Sequence, residues 1–193
     1  NEVLVKITAA GLCHSDLSIV NGDRPRPMPM ALGHEAAGVV EETGPGVVDL
    51  KRGDSVALVF VPSCGHCLPC LEGRPALCEP GAAANGQGAL ISGARRFRRG
   101  TQEIYHHVGV SAFAERTVVS RNSLVKIAPD LPFETAALFG CAVITGAGAV
   151  INTAQVKAGS SVAVVGRGGA GLMAMLAARR AGRKSLSEAD GKA

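Results

Sequence analysis

The sequence has few aromatic residues and little net charge. Its 193 residues include no Trp, one Tyr and five Phe, which argues against an aromatic-rich binding platform. The formal net charge of +4 is too small to indicate a nucleic-acid partner. No apolar run is long and charge-free enough for a membrane span, and no signal-peptide pattern opens the chain. We therefore expect a cytoplasmic protein with neither a nucleic-acid nor a membrane partner.

The composition is otherwise that of a folded globular protein, with 47% hydrophobic and 19% charged residues. The 25 glycines indicate many turns. One basic cluster is present, formed by Arg95, Arg96, Arg98 and Arg99. We interpret it as a solvated surface loop, in preference to a phosphate or nucleic-acid patch.

Short segments rich in Val, Ile and Thr recur over residues 1–130. The predicted strands are 2–9, 38–42, 55–61, 112–120 and 124–127. A short helix is predicted at 16–20, a Cys- and Pro-rich loop at 62–80, and a long surface loop at 81–107. Short strands separated by turns predict a barrel or sandwich domain over this part of the chain.

The pattern changes in residues 131–193. Helices are predicted at 132–140, 152–156 and 172–180, and a buried strand at 161–165. A strand, a glycine loop and a helix in that order open an α/β nucleotide fold. Because the segment 183–189 is too polar for a buried strand, we expect the strand at 161–165 to lack a parallel partner and the domain to be incomplete.

Four of the six cysteines form a C-x2-C-x2-C-x7-C pattern at Cys64, Cys67, Cys70 and Cys78. Four thiolates on one short loop can enclose a tetrahedral zinc ion and leave no open position, which is typical of a structural site. Disulfides and free core thiols are the plain alternatives. An iron–sulfur cluster is the other metal alternative, although the last spacing and Glu79 before Pro80 depart from the ferredoxin pattern.

A second candidate metal site consists of Cys13, His34 and Cys141. One imidazole and two thiolates leave a fourth position for water or substrate, as in a catalytic zinc site. Spacing alone does not show that these residues converge. A structural histidine and a buried, small apolar cysteine are the alternatives.

Several motifs, in one order from residue 2 to about residue 182, resemble the zinc-dependent medium-chain alcohol dehydrogenases. They are G-H-E-x2-G-x5-G-x2-V at 33–47, Gly-Leu-Cys-His-Ser-Asp-Leu at 11–17, the four-cysteine lobe at 64–78, and Gly-Cys before Thr-Gly at 140–146. The resemblance implies a GroES-like β-barrel domain over 1–130, followed by a truncated Rossmann domain over 131–193. It also implies two zinc ions per chain.

Roles for single residues follow from the resemblance. Cys13, His34 and Cys141 would bind the catalytic zinc, and Glu35 would take the fourth position in a resting state. Asp16 would hydrogen-bond the far nitrogen of His34, and Ser15 would accept the alcohol proton. On local sequence alone, Asp16 as a helix N-cap and Ser15 as a turn hydroxyl remain open.

The proton-exit residue is a further expectation from the resemblance. Some members place a histidine at the position of Ser18, and serine is no base near neutral pH. His14 and the pair His106 and His107 are the alternative candidates. The plain interpretation of that pair is loop surface.

The nucleotide would bind at the G-x-G-x-x-G loop formed by Gly166, Gly168, Gly169 and Gly171. Glycines let the backbone approach a pyrophosphate at a helix N-terminus. Asp190 lies 19 residues after Gly171 and would bind the ribose, favouring NAD without excluding NADP; a solvated tail is the alternative. Thr145 matches a position that packs on the nicotinamide, with a helix-surface threonine as the alternative.

We therefore expect oxidation of a small-molecule alcohol to an aldehyde or ketone with hydride transfer to NAD(P), or the reverse. The family is homo-oligomeric, and the sequence leaves the state of this chain open. An inactive zinc-binding remnant and an iron–sulfur electron carrier remain as alternatives. With so little of the nucleotide domain present, we expect little or no activity from the 193 residues alone.

Overall fold

The computed structural model describes residues 1–60 and 62–182, together with the backbone of 185–189. The chain divides into two compact units, Asn1–Gly140 and Cys141–Ala193. The domain boundary after residue 130 stays a prediction. Among the described residues no single helix is long and apolar enough to cross a membrane; one bent pair, Phe133–Gly140 with Ala142–Thr153, passes by length and composition only.

The first unit is built on a curled, half-barrel antiparallel sheet in the order β7-β1-β3-β4-β8. Its strands are β1 (Glu2–Ala10), β3 (Ala36–Thr43), β4 (Ser55–Leu58), β7 (Arg116–Ser120) and β8 (Leu124–Lys126). Alternate side chains point to one face, so Val3 and Val5 of β1 are fully buried with Val56 and Leu58 of β4. This apolar face forms the main core.

The helices of the first unit are short. They are α1 (His14–Val20), α2 (Leu68–Leu71), α3 (Glu79–Gly86) and α4 (Phe133–Ala137), with 3-10 turns at Pro75–Leu77, Arg121–Ser123 and Leu138–Gly140. The predicted helices at 16–20 and 132–140 are confirmed. The predicted strands at 55–61 and 112–120 are too long, because the first pairs only to Leu58 and the second begins at Arg116.

The prediction of one long surface loop over 81–107 is wrong. Helix α3 covers its start, with Pro80 in the first turn and the Cys78 sulfur accepting the N–H of Gly81. A hairpin of β5 (Phe97–Arg99) and β6 (Gln102–His106) follows, and β2 (Met30–Ala31) pairs with β6 in parallel. The many glycines and polar residues of this segment give no clear apolar periodicity. Helix α3 and the hairpin are therefore not predicted from the sequence pattern.

The basic cluster lies on and beside this hairpin rather than on a loop. Arg96 donates to Glu2 at 2.8 Å, while Arg95 and Arg98 both contact Glu103. Neighbouring carboxylates therefore balance these guanidinium groups, as expected for solvated surface charges.

The second unit contains α5 (Ala142–Gly148), a π-helical turn (Ala149–Thr153), β9 (Ser161–Val165), α6 (Gly169–Arg180) and β10 (Ser185–Ala189). The predicted helix at 152–156 is wrong, because the helical segment starts ten residues earlier and ends at Thr153. The strand at 161–165 and the helix after the glycine loop are confirmed, but the prediction that this strand is buried is wrong, because Val165 is 73% exposed. Val150, Ala177 and Ala178 form the small core of this unit.

The prediction that 183–189 contains no strand is also wrong. Strand β10 pairs in parallel with β9, from Ser185 opposite Ser161 to Ala189 opposite Val165. The hydrogen bonds of a parallel ladder come from the backbone, so polar side chains do not prevent pairing. In the described part of this unit, the strand, glycine loop, α6 and β10 follow in that order, with one parallel strand pair.

Candidate metal centres

The four-cysteine pattern forms a compact cluster in the first unit. The sulfur atoms of Cys64, Cys67, Cys70 and Cys78 all lie within 4.8 Å of one another. Cys78 is buried and the other three are partly exposed. Four sulfurs at this spacing match the donor set of a structural zinc site with no position left for substrate.

Backbone N–H groups surround the sulfurs of this lobe. Cys64 donates to the Cys78 sulfur at 3.2 Å, and Cys67 donates to the Cys64 sulfur at 3.2 Å. The N–H of His66 and then that of Cys67 lower the pKa of Cys64 to about 6. Burial and the neighbouring thiols raise the pKa of Cys70 to about 11. The cluster therefore favours at least one thiolate before any cation arrives.

The second centre lies at the start of α1 and at the residues just before β3. Cys13 caps α1, and His34 with Glu35 immediately precedes β3. The Cys13 sulfur and a ring nitrogen of His34 lie within 4.8 Å of each other. His34 and Glu35 are only 4% and 3% exposed, so both polar groups face the interior.

Asp16 contacts the far side of the His34 ring. Nδ1 of His34 lies 3.2 Å from Oδ1 and 3.1 Å from Oδ2 of Asp16. With Nδ1–H donating to the carboxylate, Nε2 carries the lone pair that a metal would use. Asp16 is not the helix N-cap, because Cys13 holds that position and donates its N–H to Asp16 at 3.4 Å.

Two further groups approach the same carboxylate. The N–H of Gly33 donates to Oδ1 at 3.1 Å, and Nδ1 of His107 lies 3.3 Å from Oδ1. Burial raises the pKa of Asp16, but the contacts with His107, His34 and Gly33 outweigh it and hold that pKa well below its usual range. Asp16 is therefore a carboxylate at neutral pH.

The pKa of the Cys13 thiol is also lowered by its surroundings. Burial raises its pKa, but hydrogen bonds from Ser15 and the proximity of His34 outweigh this and lower the pKa. A more available thiolate is the form that binds a metal ion. Ser15 thus contacts a candidate ligand, and it is partly buried.

Glu35 and Gly140 pack beside this centre in the first unit. The Glu35 carboxyl lies so close to Gly11 that a Cβ there would overlap it. A Cβ at Gly140 would lie 3.4 Å from the Cα of Glu35. Cys141 follows Gly140 directly, opens the second unit as the N-cap of α5 and is partly buried. Its role as a ligand stays a prediction.

The candidates for proton exit differ in exposure. His14 is exposed and Ser18 is partly buried. His106 and His107 are 0% and 4% exposed, so their interpretation as loop surface is wrong. Burial lowers the pKa of His106 to about 4. No sequence spacing links His107 to Asp16, so sequence patterns do not predict their contact.

The glycine loop takes the predicted form in the second unit. Gly166 has φ +97°, Gly168 caps α6, and Gly169 begins the helix. Gly171 lies so close to the Gly166 carbonyl that a Cβ would overlap it. Thr145 is exposed on α5. Asp190 lies outside the described residues.

Comparison with known proteins assigns the chain to a family. Residues 1–130 match the alcohol dehydrogenase GroES-like domain. S-(hydroxymethyl)glutathione dehydrogenase from Synechocystis sp. is 47% identical over 181 residues, which cover 93% of this chain and 49% of that protein. The protein of the same name from Escherichia coli is 45% identical over 181 residues, covering 93% of this chain and 49% of that protein.

Solved structures agree. An alcohol dehydrogenase zinc-binding domain protein from Burkholderia ambifaria has a TM-score of 0.90 at 40% identity, covering 97% of this chain and 51% of that one. Benzyl alcohol dehydrogenase from Acinetobacter calcoaceticus has a TM-score of 0.87 at 37% identity. The match covers 97% of this chain and 50% of that one. The chain thus spans about half the length of these relatives. With its lobe of four cysteines and its buried His34 beside Cys13, it belongs to the zinc-dependent medium-chain alcohol dehydrogenases.

Proposed function

We propose that the chain is part of a zinc-dependent alcohol dehydrogenase that interconverts an alcohol and an aldehyde or ketone by exchanging hydride with NAD(P). The observation that carries this proposal is the buried His34, held at Nδ1 by Asp16 with the Cys13 sulfur close to its ring. Such a pair offers nitrogen and sulfur donors of fixed orientation, which suits zinc.

Two zinc ions fit the donor groups of the chain. Cys64, Cys67, Cys70 and Cys78 would hold the structural ion. Cys13 and His34 would hold the catalytic ion, with Cys141 as the third ligand, as the family resemblance implies. Glu35 would take the fourth position when substrate is absent. When bound, zinc would lower the pKa of the alcohol hydroxyl.

Protein groups would handle the proton and the cofactor. Ser15, beside Cys13, would accept the alcohol proton and pass it outward, and exposed His14 is closer to solvent than buried His106 or His107. The N-terminus of α6 and the loop from Gly166 would receive the pyrophosphate. Thr145 would pack on the nicotinamide, and Asp190 would bind the ribose, favouring NAD over NADP.

The substrate would be a small-molecule alcohol or aldehyde. Since two relatives are S-(hydroxymethyl)glutathione dehydrogenases and another is a benzyl alcohol dehydrogenase, a thiol adduct of formaldehyde and benzyl alcohol are the first substrates to test. The six cysteines are unpaired, which suits a reducing, cytoplasmic compartment. We also propose that the whole protein is a homo-oligomer, as the family resemblance implies.

Metal analysis tests the proposal directly. The purified chain should contain zinc at both centres and no iron. Replacing Cys13, His34 and Cys141 together with alanine should remove the ion of the catalytic centre and leave that of the lobe. Unchanged metal content would refute the catalytic centre, and iron with colour would support an electron carrier instead. NAD binding without turnover would identify an inactive remnant.

A further inference from the structure

We propose that His107 is a positioning residue for the catalytic centre: it holds the Asp16 carboxylate in the orientation that fixes the ring of His34. The proposal rests on the proposed function, because it requires His34 to be a metal ligand. His107 lies 91 residues from Asp16 in sequence.

The geometry places Asp16 between two imidazoles. Its Oδ1 lies 3.2 Å from Nδ1 of His34 and 3.3 Å from Nδ1 of His107. The two rings are 5.6 Å apart between centroids and cross at 86°. Side chains of all three residues are only 5–6% exposed. A carboxylate held on both sides in this way has little freedom to rotate away from His34.

The backbone turn after His107 fixes the position of its ring. The carbonyl of His107 accepts the N–H groups of Val110 and Ser111, and its own N–H donates to the Ser111 hydroxyl at 2.8 Å. Val108 and Ser111 have φ of +44° and +53°. A left-handed backbone is unfavourable at residues other than glycine. It is found where the surrounding contacts hold the backbone in that conformation.

The same segment is attached to the backbone that precedes His34. Ala112 donates to the Gly33 carbonyl at 3.0 Å, and Phe113 donates to the Leu32 carbonyl at 2.9 Å. Gly33 in turn donates to Oδ1 of Asp16. The turn, the carboxylate and the His34 segment therefore form one connected network, in which His107 is the side-chain contact from the turn.

The chemical role follows from the donors of Asp16. A buried carboxylate needs polar partners for its charge, and Nδ1 of His107, 3.3 Å from Oδ1, is one of them. Without His107, Asp16 would turn or admit water, and the His34 ring would lose its fixed angle. Groups that orient metal ligands in this way typically contribute about 10–100-fold to metal affinity.

Two substitutions separate the role from simple space filling. In His107→Asn the amide nitrogen stands near the place of Nδ1 and can still donate to Asp16. In His107→Gln the polar group lies further out and the δ donor is lost. His106→Gln is the control for loss of a buried imidazole beside the same turn, because His106 contacts the Arg96 N–H and the Ser111 hydroxyl but not Asp16.

Cobalt(II) binding to the full chain provides a readout other than turnover. In the Cys13→Ala variant cobalt should bind only at the cysteine lobe. Its spectrum is subtracted from that of each other variant to give the signal of the catalytic centre. His107→Gln should bind cobalt at the catalytic centre about 10-fold or more weakly, with shifted ligand-field bands. His107→Asn and His106→Gln should resemble the wild type. If His107→Gln also matches the wild type in affinity and spectrum, the proposal is overturned.

The reference measurements distinguish this failure from failure of the proposed function. If the wild type and Cys13→Ala bind the same amount of cobalt, the catalytic centre itself is absent. If His107→Gln does not fold, nitrogen-15 NMR of the zinc-loaded wild type decides: His107 should carry its proton on Nδ1. A proton on Nε2 with a bare Nδ1 facing Asp16 would contradict the role.

Discussion

The backbone N–H of Cys64 donates to the sulfur of Cys78, 3.2 Å away, and so joins the two ends of the cysteine lobe. The bond links the first and last of the four candidate ligands. A backbone hydrogen bond, and not the thiols alone, therefore holds the lobe closed.

Replacing Cys78 with serine should remove the lobe metal and open the lobe. Cys78 is fully buried, and its sulfur also accepts the N–H of Gly81 at the start of α3, so the change affects both the ligand set and a helix cap. Metal analysis should show the loss of one ion, and limited proteolysis should cut within 64–86. Cys13→Ala, in contrast, should lose the other ion and keep the lobe resistant.

His106 should make the stability of the first unit depend on pH. Burial lowers its pKa from 6.5 to about 4, so the folded chain keeps it neutral while the unfolded chain takes up a proton below about 6.5. Its contribution to stability is complete above about pH 6.5 and is lost as the pH falls towards 4. The loss is at most about 3 kcal/mol.

Denaturant unfolding at several pH values measures this effect. The free energy of unfolding should fall less steeply between pH 6.5 and 4 for His106→Gln than for the wild type. His14→Gln is the control, because His14 is exposed, and its slope should equal that of the wild type. Parallel slopes for His106→Gln and the wild type would contradict the prediction.

Leu58 should carry a large share of the core energy. It is the last residue of β4, is 0% exposed and packs in the main core. Leu58→Ala should therefore lower the free energy of unfolding by about 2–5 kcal/mol. Val48→Ala, at a side chain 94% exposed, should change it by less than about 0.5 kcal/mol. Urea titration of both variants provides the comparison, and equal midpoints would disprove it.

The glycine loop offers a matched pair of substitutions. Gly171→Ala should destabilise the loop and α6 and abolish the proposed NAD binding, because the new Cβ overlaps the Gly166 carbonyl. Gly168→Ala should fold normally, since a Cβ there meets open space. Circular dichroism and a nucleotide-fluorescence titration measure the two effects. Normal folding and binding by Gly171→Ala would show that the close approach is unnecessary.

The sequence was most informative where ligands are close together or where spacing reflects a local rule. The four cysteines of the lobe lie within fifteen positions, and the glycine loop joins a strand directly to a helix. For that reason the sequence predicts both the clustering of the cysteines and the strand–loop–helix order, and the structure confirms both. The family motifs then supplied the pairing of His34 with Asp16, which spacing alone did not.

The missed features have two causes: backbone pairing that the side chains do not indicate, and contact between residues far apart in sequence. The hairpin at 97–106 and strand β10 depend on backbone pairing that polar side chains do not reveal. His107 reaches Asp16 only through a turn with left-handed residues. Neither propensity nor periodicity records such contacts, so the sequence predicted a surface loop where the structure has buried histidines.

The locality of the lobe has a consequence for the order of biosynthesis. All four lobe thiols leave the ribosome within one short stretch, so this pocket can capture its ion while the rest of the chain is still being made. The proposed catalytic set spans Cys13 to Cys141 and stays incomplete until 128 more residues have followed the first ligand. The lobe can therefore be loaded while the proposed catalytic set is still incomplete.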